Sequence, residues 1–123
     1  MAEKKKIPLQ ERAKKASGDA STAYELVFEP VKVGEMWEVE DLSFRDKTST
    51  TSRIECYVKG GGWDHHVGQK IASAAGNVYT LDRPFWVGED RTLVVNFVGG
   101  GAADELEAWV TGWKSFPEEV NIP

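Results

Sequence analysis

The sequence predicts an all-β protein, an antiparallel β-sandwich of jelly-roll-like type with an extended or partly helical N-terminal arm. Three observations carry this. Hydrophobic residues recur with period two from Ala23 onward. Turn residues interrupt them every 8–15 positions, and no helical stripe crosses the body. Charge is divided, with Lys4, Lys5, Lys6, Arg12, Lys14 and Lys15 against Glu3 and Glu11 in residues 1–15, a net +4. The rest holds nine Lys/Arg against eighteen Asp/Glu, giving −5 for the whole chain.

These patterns divide the chain into a basic arm (1–22), a sandwich domain (23–117) and a tail (118–123). The arm is too polar to bury a core of its own. It is nonetheless helix-capable, with Pro8 in a first-turn position and Gly18 as a stop. Its thin stripe of Leu9, Ala13 and Ala16 cannot hold a helix alone, so an ordered arm is expected to lie on a neighbouring chain. Within the body, Tyr24, Leu26 and Phe28 alternate until Pro30. Trp37 and Val39 share one face of the next strand while Leu42 and Phe44 take the opposite parity, which predicts a bulge near Glu40-Asp41. Asp46–Ser52 reads as a loop. Ile54, Cys56 and Val58 point inward, and the glycine run 60–62 ends that strand. Asn77–Leu81 is short, and Phe85–Val87 follows Pro84 and belongs near an edge. Arg91–Val98 is apolar on both faces and therefore central. After the glycines at 99–101, Glu105–Phe116 is the last of about seven strands.

That last strand places Leu106, Ala108, Val110 and Gly112 on a core face. Glu105, Glu107, Trp109, Thr111 and Trp113 fall on the other. Tryptophans among carboxylates on an outward face mark a contact surface for protein or sugar, so Trp109 and Trp113 join the arm's Lys and Arg residues as candidate partner-binding residues. The bland alternative is that the chain's own arm or loops cover these rings.

Chemistry is sparse. His65 and His66 are adjacent, so on a strand they face opposite ways and cannot readily chelate one ion. Cys56 reads as a small buried hydrophobe without a base beside it. The many carboxylates lack a cleft, and the glycine runs lack the Lys-Ser/Thr of a phosphate cradle. No catalytic, metal or cofactor role is expected. The acidic body disfavours nucleic acid, no apolar run is long enough to span a membrane, and no secretory leader is seen.

The stretches GEMWEVEDLSFRDKTSTTSRIECYVKGG and RPFWVGEDRTLVVNFVGGGAADELEAWVTGW resemble small β-sandwich virion proteins of tailed bacteriophages. The matching residues are Gly34, Trp37, Val39, Trp86, Gly88, Glu89, Gly99, Val110 and Gly112, within residues 24–114. The resemblance implies a non-enzymatic structural protein located in the virion. It would be a capsid decoration or minor head or tail protein, homo-oligomeric with a trimer favoured, and its partner the major capsid or another virion protein. The arm lies outside the matching stretch and is the expected attachment device, so loss of residues 1–20 is expected to leave a folded body that no longer joins particles. The alternative is a carbohydrate-binding module stacking sugars on Trp63, Trp86, Trp109 or Trp113.

Overall fold

The computed structural model describes residues 6–9 and 14–116, and their regular structure is entirely β. Ten strands form two antiparallel sheets. These are β1 (Lys6–Leu9), β2 (Lys14–Gly18), β3 (Ala23–Val27), β4 (Met36–Asp46), β5 (Thr51–Gly60), β6 (Trp63–Ser73), β7 (Tyr79–Leu81), β8 (Phe85–Val87), β9 (Thr92–Val98) and β10 (Asp104–Ser115). In the first sheet β10 lies beside β4. The other edge of β10 carries β1 and β2 in succession, and the other edge of β4 carries β7 and β8. The second sheet runs β3-β9-β5-β6.

The chain therefore crosses between sheets as it goes from β2 to β3, β3 to β4 and β4 to β5. It crosses back from the β5–β6 hairpin to β7 and β8, then to β9 and finally to β10. Merging β7 with β8 leaves the four-plus-four strand order of a jelly roll, closed by β1 on the outer edge of β10. The core between the sheets holds Leu26, Phe28, Trp37, Val39, Leu42, Phe44, Ile54, Cys56, Val58, Leu93, Val95, Phe97, Leu106, Ala108 and Val110. The central position expected for residues 91–98 holds, since β9 pairs with β3 on one side and β5 on the other.

The parity switch in β4 is a bulge. Thr111 pairs with Asp41 and the next residue, Gly112, pairs with Val39, which leaves Glu40 as the extra residue. All four residues of mixed parity, Trp37, Val39, Leu42 and Phe44, thereby become buried. Gly112 opposite the bulge has φ +152°, and a Cβ there would run into the carbonyl oxygen of Glu38. Only glycine fits a backbone that approaches its neighbour this closely.

Two sequence-based expectations change. The arm's described segments, Lys6–Leu9 and Lys14–Gly18, are strands rather than helix, and they lie on their own chain's β10. An unpaired β10 edge offers backbone hydrogen bonds to a passing segment, and Leu9 adds a side chain only 1% exposed. The second change is β6, a full strand over a stretch in which the sequence pattern marks none. Its first four residues are exposed on both faces because β6 is the edge of its sheet, so no alternation marks it. Val67 is an extra residue there, Cys56 pairing with Gly68 and Tyr57 with His66.

Candidate interaction surface

The outer face of the β10–β4 sheet is built in rows by strand register. At one end Lys15, Glu107 and Arg45 lie side by side on β2, β10 and β4. Arg45 Nε donates to Glu107 Oε1 at 2.6 Å, and Lys15 Nζ lies 3.6 Å from Glu107 Oε2. Burial raises the Glu107 carboxyl, but the Arg45 hydrogen bond and the cations around it outweigh burial and hold it below its ordinary value. The Arg45 guanidinium also sits 5.7 Å from the Trp109 ring centroid. This end of the face is compensated within the chain.

Moving along β4, Trp109 pairs with Ser43, Thr111 with Asp41, and Trp113 with Glu38. Glu38 in turn pairs with Trp86 on β8, and Trp113 with Pro8 on β1, completing a row Pro8–Trp113–Glu38–Trp86. Strand spacing puts the backbones of Trp113 and Trp86 about 10 Å apart with a carboxylate between them. Trp86 is 57% and Trp113 37% exposed. Residues 35–41 carry four carboxylates and no Lys or Arg. Neither Glu40 nor Asp41 makes an ion pair among the described residues.

Of the residues singled out by sequence, Lys4, Lys5 and Arg12 lie outside the described residues. Lys6 and Lys14 are placed by backbone only, opposite Ser115 and Ala108. Lys15 is exposed and bound to Glu107 rather than projecting free. Trp109 and Trp113 do share the outward face, Trp109 half-buried beneath Arg45 and Trp113 more open. Sequence reasoning did not bring Trp86 and Glu38 into a row with Trp113. Their alignment depends on the pairing of β4 with β8, which no local pattern specifies.

Elsewhere the polar groups serve the fold. On the outer face of the β3–β9–β5–β6 sheet, Tyr57 donates to Glu25 Oε2 and Lys59 Nζ donates to Glu25 Oε1 at 3.1 Å. The Tyr57 bond leads the effects that lower the Glu25 carboxyl. His65 and His66 turn opposite ways, His65 toward Trp63 and His66 toward Tyr57. No group of three or more His, Cys, Asp or Glu suited to a metal ion occurs among the described residues. Burial pushes the Cys56 thiol up to about 12.

At the far end of the sandwich Asp46 and Asp104 are both buried. Asp46 Oδ1 accepts from the Thr48 and Ser49 amides, each at 3.0 Å, and Asp104 accepts from Ser49 Oγ and the Gly101 amide, each at 2.8 Å. Among the described residues, no N–H or O–H is aimed at Asp46 Oδ2. Carrying a proton, Asp46 becomes the donor to Asp104. Burial, then that shared bond, raises Asp46 to about 6. Burial also acts upward on Asp104, but the bonds it accepts bring it below its ordinary value.

No family model matches this chain, and no curated protein matches it. Among solved structures it is similar to a chain from the Bacillus endospore appendages, described as a novel family of disulfide-linked pili. The TM-score is 0.52 and the identity 16%, over 94% of this chain and 90% of that one. Further likenesses are to a structure of infectious bursal disease virus Gx strain and to a CBM4 structure. The first has TM-score 0.49 and 10% identity, over 92% of this chain and 31% of that one. The second has TM-score 0.42 and 11% identity, over 82% of each chain. At 16% identity the likeness to the pilus chain is one of fold, the two-sheet β-sandwich.

Proposed function

We propose that this chain is a structural subunit of an ordered protein assembly, and specifically a capsid-decorating or minor virion protein of a tailed phage that functions as a homo-oligomer. The observation that carries the reading is the distribution of tryptophan. Trp37 fills the core at 3% exposure, whereas Trp63, Trp86 and Trp113 stay 69%, 57% and 37% exposed. Large aromatic rings left on the outside of a well-filled sandwich are the signature of a contact surface. The likeness to a chain of disulfide-linked pili supports an assembly role, and the resemblance of residues 24–114 to small β-sandwich virion proteins supports the viral assignment. Neither depends on a catalytic group.

Attachment through residues 1–22 is part of this reading in a revised form. Lys6–Leu9 and Lys14–Gly18 complete the sheet, so the part of the arm assigned to the partner in this reading is the Lys4–Lys6 run, which ends at the first residue of β1. A carbohydrate-binding role is the second reading, favoured by the alignment of Trp86 and Trp113 on one sheet face. Titration with a panel of oligosaccharides, followed by tryptophan fluorescence, separates the two. The assembly reading predicts no saturable change, and a saturating quench lost in Trp86→Ala would replace it with the sugar reading.

A further inference from the structure

We propose that Asp46 and Asp104 form a binding site for a divalent cation of the calcium class, at the end of β4 opposite the Trp113 row. The inference is independent of the assembly reading. Its first ground is charge. Both side chains are buried, at 1% and 2% exposure, and neither makes an ion pair among the described residues. A buried carboxylate is neutralised by a cationic side chain, a proton or a metal ion. Two of them together match the charge of one divalent ion.

The second ground is geometry. Asp46 Oδ1 accepts from the Thr48 and Ser49 amides, whereas Oδ2 is buried and receives no donor among the described residues. A Cβ built on Gly100 would lie 2.8 Å from that oxygen and 2.7 Å from Asp104 Oδ2. The two oxygens therefore converge over a bare Cα, and any side chain at position 100 would fill the space before them. Ser49 Oγ stands beside them, 2.8 Å from Asp104 Oδ1. Carboxylate and hydroxyl oxygens are hard donors, and calcium accepts an irregular set of them completed by water more readily than magnesium does. Ser49, Gly100 and Gly101 are partly exposed, which gives an ion a route from solvent.

The third ground is position. Asp46 closes β4 and Asp104 opens β10, while Gly100 N–H donates to the Ala20 carbonyl and Ala20 N–H to the Gly101 carbonyl. An ion held by both aspartates ties the ends of two strands to the segment that joins β2 to β3. The shared proton and the ion are alternative occupants of one contact.

The test uses the full chain stripped of metal with a chelator, then titrated with calcium chloride at neutral pH by calorimetry and by thermal unfolding. One ion is expected to bind per chain, and saturating calcium to raise the unfolding midpoint by about 5 °C, because a ligand held only by the folded state stabilises it. Asp46→Asn keeps a hydrogen bond to Asp104 through its amide, so it is expected to stay folded and to lose the calcium response. Glu105→Gln, on the exposed carboxylate next in sequence, is expected to retain it. Absence of saturable heat together with an unmoved midpoint would overturn the site. A response shared by Asp46→Asn and the parent would also overturn it, placing the ion on surface carboxylates. An equal rise with sodium chloride at matched ionic strength would reduce the effect to screening and overturn it as well.

Discussion

Gly112 and the Asp46–Asp104 pair carry the residue-scale consequences of this fold. At Gly112 a methyl group meets the Glu38 carbonyl in a backbone conformation that side chains rarely adopt. Gly112→Ala is expected to lose about 2–4 kcal/mol in urea unfolding, because either the bulge or the β4–β10 pairing must yield. The carboxyl pair gives a pH dependence whose sign is fixed by Asp46. A folded value raised to about 6 means its contribution is fully present below the ordinary aspartate value near 4 and is lost as pH rises through 6. Asp104, shifted down, contributes with the opposite sign, its share lost only as pH falls below its ordinary value. Asp46→Asn supplies a permanent donor in place of the shared proton. Unfolding midpoints at pH 5 and pH 8 should differ in the parent, favouring pH 5, and converge in the variant. Cys56, buried with its thiol pushed up to about 12, is expected to resist maleimide in the native state and to react once urea unfolds the chain.

At the scale of elements, β1 and β2 are the strands whose loss is most informative. Leu9 sits in the core from the outermost strand, so Leu9→Ala should destabilise by about 2–3 kcal/mol and removal of residues 1–9 by at least as much. A truncation that left the urea midpoint unmoved would mean β1 does not add to the sheet's stability. The expectation that loss of residues 1–20 leaves a folded body is thereby refined: the body is expected to fold with lower stability. The reason the arm was misread is physical: KIPL and KKASG are too short and polar to show a period, and their structure comes from the open edge of β10 rather than from their own residues. The same cause hid β6, whose exposed edge position removes the alternation that reveals a strand. Where one face is buried the pattern was legible. Leu26 and Phe28, the parity switch from Val39 to Leu42, and the doubly buried Leu93, Val94 and Val95 all point from sequence to their places in the sandwich. Trp109 and Trp113 were likewise legible as outward residues, but their relation to Trp86 and Glu38 was not. Cross-strand rows are set by long-range pairing, which periodicity does not encode.

At the scale of the whole molecule, the proposed contact surface is separate from the groups that hold the jelly roll together. The core between the sheets and the buried polar pairs hold the fold. The exposed Trp86 and Trp113 lie outside it, on a face that can change without unfolding the sandwich. Under the proposed role, assembly rather than folding is the property expected to be most sensitive to Trp86 and Trp113. The most direct test is the mass of the full chain by light scattering across a wide concentration range, beside a Trp86→Ala/Trp113→Ala double variant of the same length. The parent is expected to reach a fixed multiple of the monomer mass, while the variant stays near monomer with the same unfolding midpoint. A parent that remains monomeric throughout, or a variant that assembles equally well, would contradict it.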